Sequence, residues 1–236
     1  IPLRLVGSEM CIRDSHTYID NDCVVGGIRY TQCYYDQHWL NAVKVDSSNT
    51  ATNTKNNDLV FIGCYLRGTK DRTSSTSSLI RVETASSVGM RQLKLVGCDL
   101  ASCFAVAINI PKVAGLRSLN VKDCMFSSCN KESQDLDANF ITTFANSTLI
   151  SGNFFDASST SFTTGVGASL GYSVQLFNDD AGDVQSTYNI SNNFTTSPRN
   201  STTAKGVDFM NLPLYSAEST RSAGISVNNS WSVNDY

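Results

Sequence analysis

The chain has 236 residues, of which 41% are hydrophobic and 17% are charged, and its formal net charge is −3. A small negative charge without a basic run disfavours a nucleic-acid partner, and no segment reaches the ~18 consecutive apolar residues of a membrane helix. The length and apolar content suffice for one elongated domain, and serine, threonine and asparagine supply most of its polarity.

Residues 1–15 are treated separately from the rest. Residues 5–15 resemble a translated transposase adapter used to prepare sequencing libraries, and Glu9 to Asp14 follows the frame GAG-ATG-TGT-ATA-AGA-GAC. This resemblance implies that residues 1–15 are adapter-derived and non-native. We then expect residues 16–236 to be one domain from a longer protein. A genuine leader is the alternative, but the segment lacks an apolar stretch followed by a small-residue cleavage site.

From residue 28 onward a short phrase occurs seven times: an apolar residue, any residue, an apolar residue, any residue, then Gly, Asn, Asp or Gln as the turn residue, a small residue and usually an aromatic. Alternating apolar residues predict a strand with one buried face, and Gly, Asn or Asp at the turn position permits the left-handed (αL) conformation. We call the small residue the anchor. The anchors recur every 26 to 40 residues, a spacing typical of stacked repeats: they are Cys33, Cys64, Cys98, Cys124, Asn153, Asn193 and Ser230.

A second apolar run lies within each interval between anchors. These runs are rich in β-branched and aromatic residues and predict further strands, at residues 42–45, 79–82, 106–110, 140–144, 174–177 and 207–210. Strands repeated without helices fit either a β-solenoid or a sandwich. A small residue at the same phase of each repeat favours the solenoid, because equivalent positions then stack about 4.8 Å apart. Buried asparagines in such a column are expected to bond to the neighbouring repeat.

These features predict an all-β chain folded as a single-stranded right-handed parallel β-helix of about seven coils. The strand–Gly/Asn–Asn/Cys–aromatic phrase resembles the right-handed parallel β-helix of the pectate-lyase-like superfamily, which includes bacteriophage tailspikes. The resemblance covers about residues 16–236. It implies the architecture and carries no enzyme identity.

The cysteines are predicted to be free thiols that fill the interior. Without Cys11 an odd number remains, no CxxC pair occurs, and stacked cysteines lie further apart than a disulfide prefers. Cys103 and Cys129 each follow an anchor by five residues and suggest a second column. No cofactor and no metal are predicted.

Insertions that follow the anchors are predicted to form a polar shelf on one side of the stack. They span residues 67–78, 127–139, 156–173 and 195–205. Such a shelf suits an extended carbohydrate, and its aromatic candidates for glycan binding are Tyr65, Phe162, Tyr172 and Trp39. The alternative is that aromatics directly after an anchor pack at the corners of the stack.

Glycoside hydrolysis needs two carboxylates about 5–9 Å apart. The best local pair is Asp135 and Asp137, which precede a predicted strand and share one face if that segment is extended. Solvated turn aspartates are the alternative, since Asp favours turns. The outward-facing residues of the second predicted strands do not form a row of acids. These residues are Lys44, Arg81, Asn109, Thr142, Gln175 and Asp208.

The functional expectation is a phage tailspike-like or tail-fibre-like protein that recognises a bacterial surface polysaccharide. Two alternatives stay open, a polysaccharide hydrolase or lyase of the same fold and a purely structural stalk. The expected location is the virion tail or an extracellular surface, without membrane insertion. The resemblance also implies a homotrimer for the full-length protein.

Overall fold

The computed structural model describes residues 15–19, 27–47, 58–71, 76–84, 90–110, 116–129, 138–143, 145, 147–156, 172–176, 187–196 and 225–232. These residues form eighteen strands and no helix. In chain order the strands are β1 Ser15–Ile19, β2 Ile28–Thr31, β3 Tyr34–His38, β4 Asn41–Ser47, β5 Asp58–Ile62, β6 Tyr65–Thr69, β7 Ile80–Thr84, β8 Gln92–Val96, β9 Asp99–Ala101, β10 Ile108–Asn109, β11 Ser118–Lys122, β12 Met125–Ser127, β13 Ala138–Thr143, β14 Ser147–Ser151, β15 Phe154–Asp156, β16 Tyr172–Leu176, β17 Thr187–Thr196 and β18 Ile225–Ser232.

Strands pair in parallel with the strand three places later in the chain, from β1 with β4 through to β14 with β17. Every third strand of the chain, beginning with β1, belongs to a six-stranded sheet with the order β1-β4-β7-β10-β13-β16. The remaining strands form a twelve-stranded sheet whose two rows meet at the long strand β17, which pairs with both β14 and β15. All strand pairs among the described residues are parallel, so the alternative prediction of an antiparallel sandwich is wrong. The arrangement is compatible with a parallel β-helix.

The sequence prediction found two strands in each repeat, and the structure has three. The predicted second strands correspond to β4, β7, β10, β13 and β16, whereas residues 207–210 lie outside the described residues. The strands that directly follow the anchors, β3, β6, β9, β12 and β15, were missed because each has only three to five residues. One or two inward side chains per strand give too little alternation to reveal it.

A left-handed residue precedes the anchor in successive repeats, as predicted, and in all but the last of them it separates two strands. The residue before the anchor has a positive φ in six successive repeats, at Gln32, Gly63, Gly97, Asp123, Gly152 and Asn192. We call these six residues the turn column. A second left-handed residue, which the sequence did not predict, lies within one residue of the end of the next strand, at Gln37, Gly68, Ser102 and Ser128.

The anchors form a buried column that links one repeat to the next. Cys64, Cys98, Cys124, Asn153 and Asn193 are all at most 2% exposed. The carbonyl of each anchor accepts a hydrogen bond from the residue after the next anchor, as in Asp99 N–H to Cys64 O at 2.9 Å. Towards the C-terminal repeats, asparagine amides add side-chain bonds to this ladder. The predicted column is therefore confirmed for these residues.

Ser230 does not continue the anchor column. It pairs with Phe194 rather than with Asn193, because β18 has one residue fewer than β17 between the paired segments Ser191/Asn228 and Phe194/Ser230. The assignment of Ser230 as the seventh anchor is wrong for this reason.

Apolar side chains from both sheets pack into one buried cluster beside the anchor column. Phe126, Phe140 and Phe155 come from three different strands, and their ring centroids lie 4.9 to 6.0 Å apart. The predicted second column is present as well, since Cys103 and Cys129 are fully buried and His38 pairs with Thr69 at the equivalent position. All six described cysteines are free thiols, as predicted: Cys33, Cys64, Cys98, Cys103, Cys124 and Cys129. In the described part of the chain, no helix has the length and apolarity to cross a membrane.

Candidate functional site

The predicted site residues fall in different parts of the chain. Asp135, Asp137 and Phe162 lie outside the described residues, as does most of the predicted shelf. The backbone of Tyr172 begins β16 and pairs with Ala138 of β13. Tyr65 and Trp39 are described and exposed, at 47% and 51%. The structure places these two aromatics apart, since Tyr65 begins β6 and Trp39 follows the far end of β3.

A surface groove of about 580 Å³ runs across four successive repeats beside the turn column, and we call it the turn groove. Its floor and walls come mainly from two rows, the turn residues and the outward residues two positions later, with the anchor Cys98 between them. The lining residues are Gln32, Gly63, Tyr65, Gly97, Cys98, Asp99, Asp123 and Met125. Because parallel pairing places equivalent residues side by side, the groove is perpendicular to the strands.

Outward side chains at the start of the second strands form one wall of the groove. Tyr65 pairs with Asp99, and Asp99 pairs with Met125 on the next strand. Tyr34 precedes Tyr65 in the same row, and their ring centroids are 6.0 Å apart. The predicted packing of such aromatics at corners is wrong for Tyr34 and Tyr65, which are 62% and 47% exposed. Both side chains point outward because the next residue of each strand takes the inward position.

Arg67 joins two residues of this wall. Its guanidinium carbon lies 5.4 Å from the centroid of the Tyr65 ring, within the range of a cation–π contact. Its Nη2 forms an ion pair with Oδ2 of Asp99 on the next strand. The hydrogen bond to the Asp99 carboxylate raises the pKa of the Arg67 guanidinium, which stays charged. The other carboxylate oxygen, Asp99 Oδ1, is buried and makes no hydrogen bond within the described part of the chain.

Asp123 contributes a second carboxylate to the groove. Its Oδ2 lies 3.8 Å from Nζ of Lys122, and more than half of each side chain is exposed. An exposed ion pair at this distance contributes little to stability, about 1 kcal/mol at most. The Asp123 carboxylate is therefore available to accept hydrogen bonds from a ligand.

The anchor column lies directly beneath the groove. The Cys98 N–H points to the Cys124 Sγ at 3.4 Å, and the Cys124 N–H donates to Asn153 Oδ1 at 2.9 Å. The contact with the Cys98 thiol, together with burial, raises the pKa of the Cys124 thiol. These groups hold the floor of the groove in place and leave the turn backbone on the surface.

The opposite sheet carries the outward row predicted from the sequence. The strand register aligns its first five members, Lys44, Arg81, Asn109, Thr142 and Gln175, while Asp208 lies outside the described residues. Glu83 is paired with two cations of this sheet, with Lys44 Nζ at 3.3 Å and with Arg81 Nε. This face therefore carries an ion-pair cluster in which one carboxylate is shared by two cations.

The turn groove offers hydroxyl and carboxylate oxygens, an amide and an aromatic ring, which suit a hydroxyl-rich ligand. Within the described ranges, no three His, Cys, Asp or Glu side chains are arranged to hold a metal ion. Sequence reasoning identified Tyr65 but missed Gln32, Asp99 and Asp123. The available signal was the turn residue of four consecutive repeats, which is Gln in the first, Gly in the next two and Asp in the fourth.

Comparison with models of known protein families, with curated proteins and with solved structures finds no match to this chain.

Proposed function

We propose that residues 16–236 belong to a right-handed parallel β-helix that binds a bacterial surface polysaccharide, in the manner of a phage tailspike or tail fibre. Supporting the fold is the regular pairing of each strand with the strand three places later. Each repeat then advances the stack by about 4.8 Å. The proposed location is the virion tail, and the proposed assembly of the full-length protein is a homotrimer.

One observation carries the binding proposal: the exposed ring of Tyr65 stands in the wall of a polar groove, next to the Arg67–Asp99 ion pair. Sugar rings present apolar C–H faces and polar edges, so an aromatic face flanked by hydrogen-bonding groups is complementary to them. The groove crosses several repeats, which suits an extended polymer better than a compact small molecule.

Binding of purified bacterial capsular polysaccharides and O-polysaccharides on a glycan array tests this proposal. Tyr65→Ala should weaken binding of any captured glycan by about tenfold, which corresponds to ~1.4 kcal/mol. Trp39→Ala removes an equally exposed ring that does not line the groove. Weaker binding in this variant, with unchanged binding in Tyr65→Ala, would place the glycan at Trp39 instead of in the groove. Phe162→Ala tests the predicted shelf in the same way. Failure of the wild-type protein to capture any polysaccharide would contradict the proposal.

A polysaccharide-degrading enzyme is the second candidate, because two carboxylates, Asp99 and Asp123, line the same groove. The sequence favours a different pair, Asp135 and Asp137. Release of new reducing ends from a bound polysaccharide separates these cases. Loss of release in Asp99→Asn/Asp123→Asn places the chemistry in the groove, whereas loss in Asp135→Asn/Asp137→Asn places it on the shelf. Without any release from a bound polysaccharide, the protein only binds.

A further inference from the structure

The turn groove exists because two neighbouring turn residues are glycines. Side chains of the turn column lean toward the following repeat: Gln32 Cγ lies 3.8 Å from the position that a Cβ on Gly63 would take. In the same way, the Asp123 carboxylate lies over Gly152, in the space that its Cβ would need. Beside Gly97 there is open space, with no atom within 4 Å of a Cβ built there.

This arrangement gives the groove defined ends. Gln32 stands at one end and extends over Gly63, and Asp123 stands at the other end with its carboxylate over Gly152. Three repeat spacings separate the two residues, about 14 Å at ~4.8 Å per repeat. Between them the floor is glycine backbone, and the wall is formed by Tyr65, Asp99 and Met125. A side chain at residue 63 or 97 would fill the groove, so its width is set by these two positions.

The charges around the groove exclude one class of ligand. Within the described residues the charged groups that line it are both carboxylates, Asp99 and Asp123, and no Lys or Arg is among the lining residues. Of the nearby cations, Arg67 is paired with Asp99, and Lys122 lies outside the groove lining, 3.8 Å from Asp123 in an exposed pair that leaves the Asp123 carboxylate open to a ligand. Because Asp99 is balanced by Arg67 and its Oδ1 is buried, the exposed Asp123 carboxylate is the group that would repel a further negative charge. Carboxylates do accept strong hydrogen bonds from hydroxyl groups.

We infer that the turn groove binds a neutral, hydroxyl-rich glycan and rejects glycans that carry carboxylates. The inference rests on the proposed function and adds the class of polysaccharide to it. The Asp123 carboxylate is the discriminating group, because it is exposed at the end of the groove. The Tyr65 ring packs against the sugar, and the glycine floor sets the size of the unit that fits.

Matched pairs of polysaccharides provide the test. Purified bacterial polysaccharides are arrayed in native form and after chemical reduction of uronic-acid carboxyls to primary alcohols. We expect capture of neutral members, and at least tenfold weaker binding of an acidic glycan than of its carboxyl-reduced form. Equal binding of the two forms, or tighter binding of the acidic form, would overturn the inference and leave polysaccharide binding intact. Capture of no member at all would overturn the proposed function itself.

Variants assign the discrimination to the groove. Asp123→Asn keeps a residue type that the turn column already accepts at Asn192, with φ of 56°, and removes the charge. We expect it to raise the affinity for carboxylate-bearing glycans about tenfold and to lower the affinity for neutral ones only a few-fold. Asp36→Asn removes a carboxylate from the same sheet outside the groove lining and should change neither affinity. Retention of the full discrimination in Asp123→Asn would contradict the role of this residue.

Discussion

At the scale of single residues, Asn153 connects three repeats through its amide group. Its Oδ1 accepts from the Cys124 N–H at 2.9 Å, and its Nδ2 donates to Val121 O at 3.0 Å and to Asn193 Oδ1 at 2.9 Å. The side chain is 2% exposed, so water does not replace these partners. A buried polar group that loses its hydrogen-bond partner lowers the free energy of unfolding. The Asn153 amide therefore stabilises the contacts between these three repeats.

Asn153→Ala should therefore destabilise the protein strongly. It leaves the Cys124 N–H and the Val121 carbonyl without their side-chain partner, and each unpaired buried group costs about 1–3 kcal/mol. We expect a loss of about 3 kcal/mol in the free energy of unfolding, measured by urea denaturation. Asn189→Ala, at an exposed position of β17, should cost less than about 0.5 kcal/mol. Similar losses in the two variants would show that the amide ladder does not contribute to stability.

At the scale of secondary-structure elements, left-handed turns decide where strands end. The turn column combines Gly with Gln, Asp and Asn at φ between 53° and 67°. Residues other than Gly occupy this conformation at a cost of about 1–2 kcal/mol, which the backbone bonds to the next repeat offset. The N–H of Gly63, for example, donates to Val96 O at 2.9 Å.

Replacement of glycine should cost different amounts in the two kinds of turn. Gly97→Ala meets no atom, so we expect only the conformational cost of about 1 kcal/mol. At Gly68 (φ of 75°), a Cβ would lie 3.1 Å from the Gln37 backbone nitrogen, which cannot move away as a side chain can. Gly68→Ala should therefore cost about 2–3 kcal/mol. Urea denaturation of both variants measures the difference, and equal costs would show that the backbone contact is easily relieved.

At the scale of the whole molecule, free thiols run through successive repeats as part of the core. Cys64, Cys98 and Cys124 are at most 2% exposed. Burial raises the pKa of the Cys64 thiol above its ordinary value of 9.0. The folded protein therefore keeps this proton to a higher pH than the unfolded chain does. The resulting contribution to stability is complete below pH 9 and is lost as the pH rises further.

We expect the free energy of unfolding to fall above pH 9, with the Cys64 thiol contributing up to about 1.4 kcal/mol per pH unit. Cys64→Ser replaces the thiol with a hydroxyl that does not titrate in this range, so the slope between pH 9 and pH 10.5 should decrease. Cys64→Ala should give the same smaller slope, whatever its own cost at neutral pH. Urea denaturation across this pH range measures the slope of the free energy of unfolding. A slope in either variant equal to that of the wild type would contradict the prediction.

The sequence alone was sufficient to predict the strand phrase, the anchors from Cys33 to Asn193 and the left-handed residue before each of them. These features follow from local rules: alternation sets one buried face, and Gly, Asn or Asp permits a turn. The stacking of anchors also followed, because a small residue at a constant phase has a simple explanation only when equivalent positions lie next to one another.

Only the tertiary structure decided the third strand of each repeat, the register of Ser230 and the turn groove. The short strands β9, β12 and β15 are held by pairing with neighbouring repeats, which is not encoded in local alternation. Gln32, Tyr65, Asp99 and Asp123 come from four repeats and line one groove because parallel pairing places equivalent positions side by side. The open space above Gly97 depends on where the side chains of neighbouring repeats lean, which is a property of packing between repeats and not of any one segment.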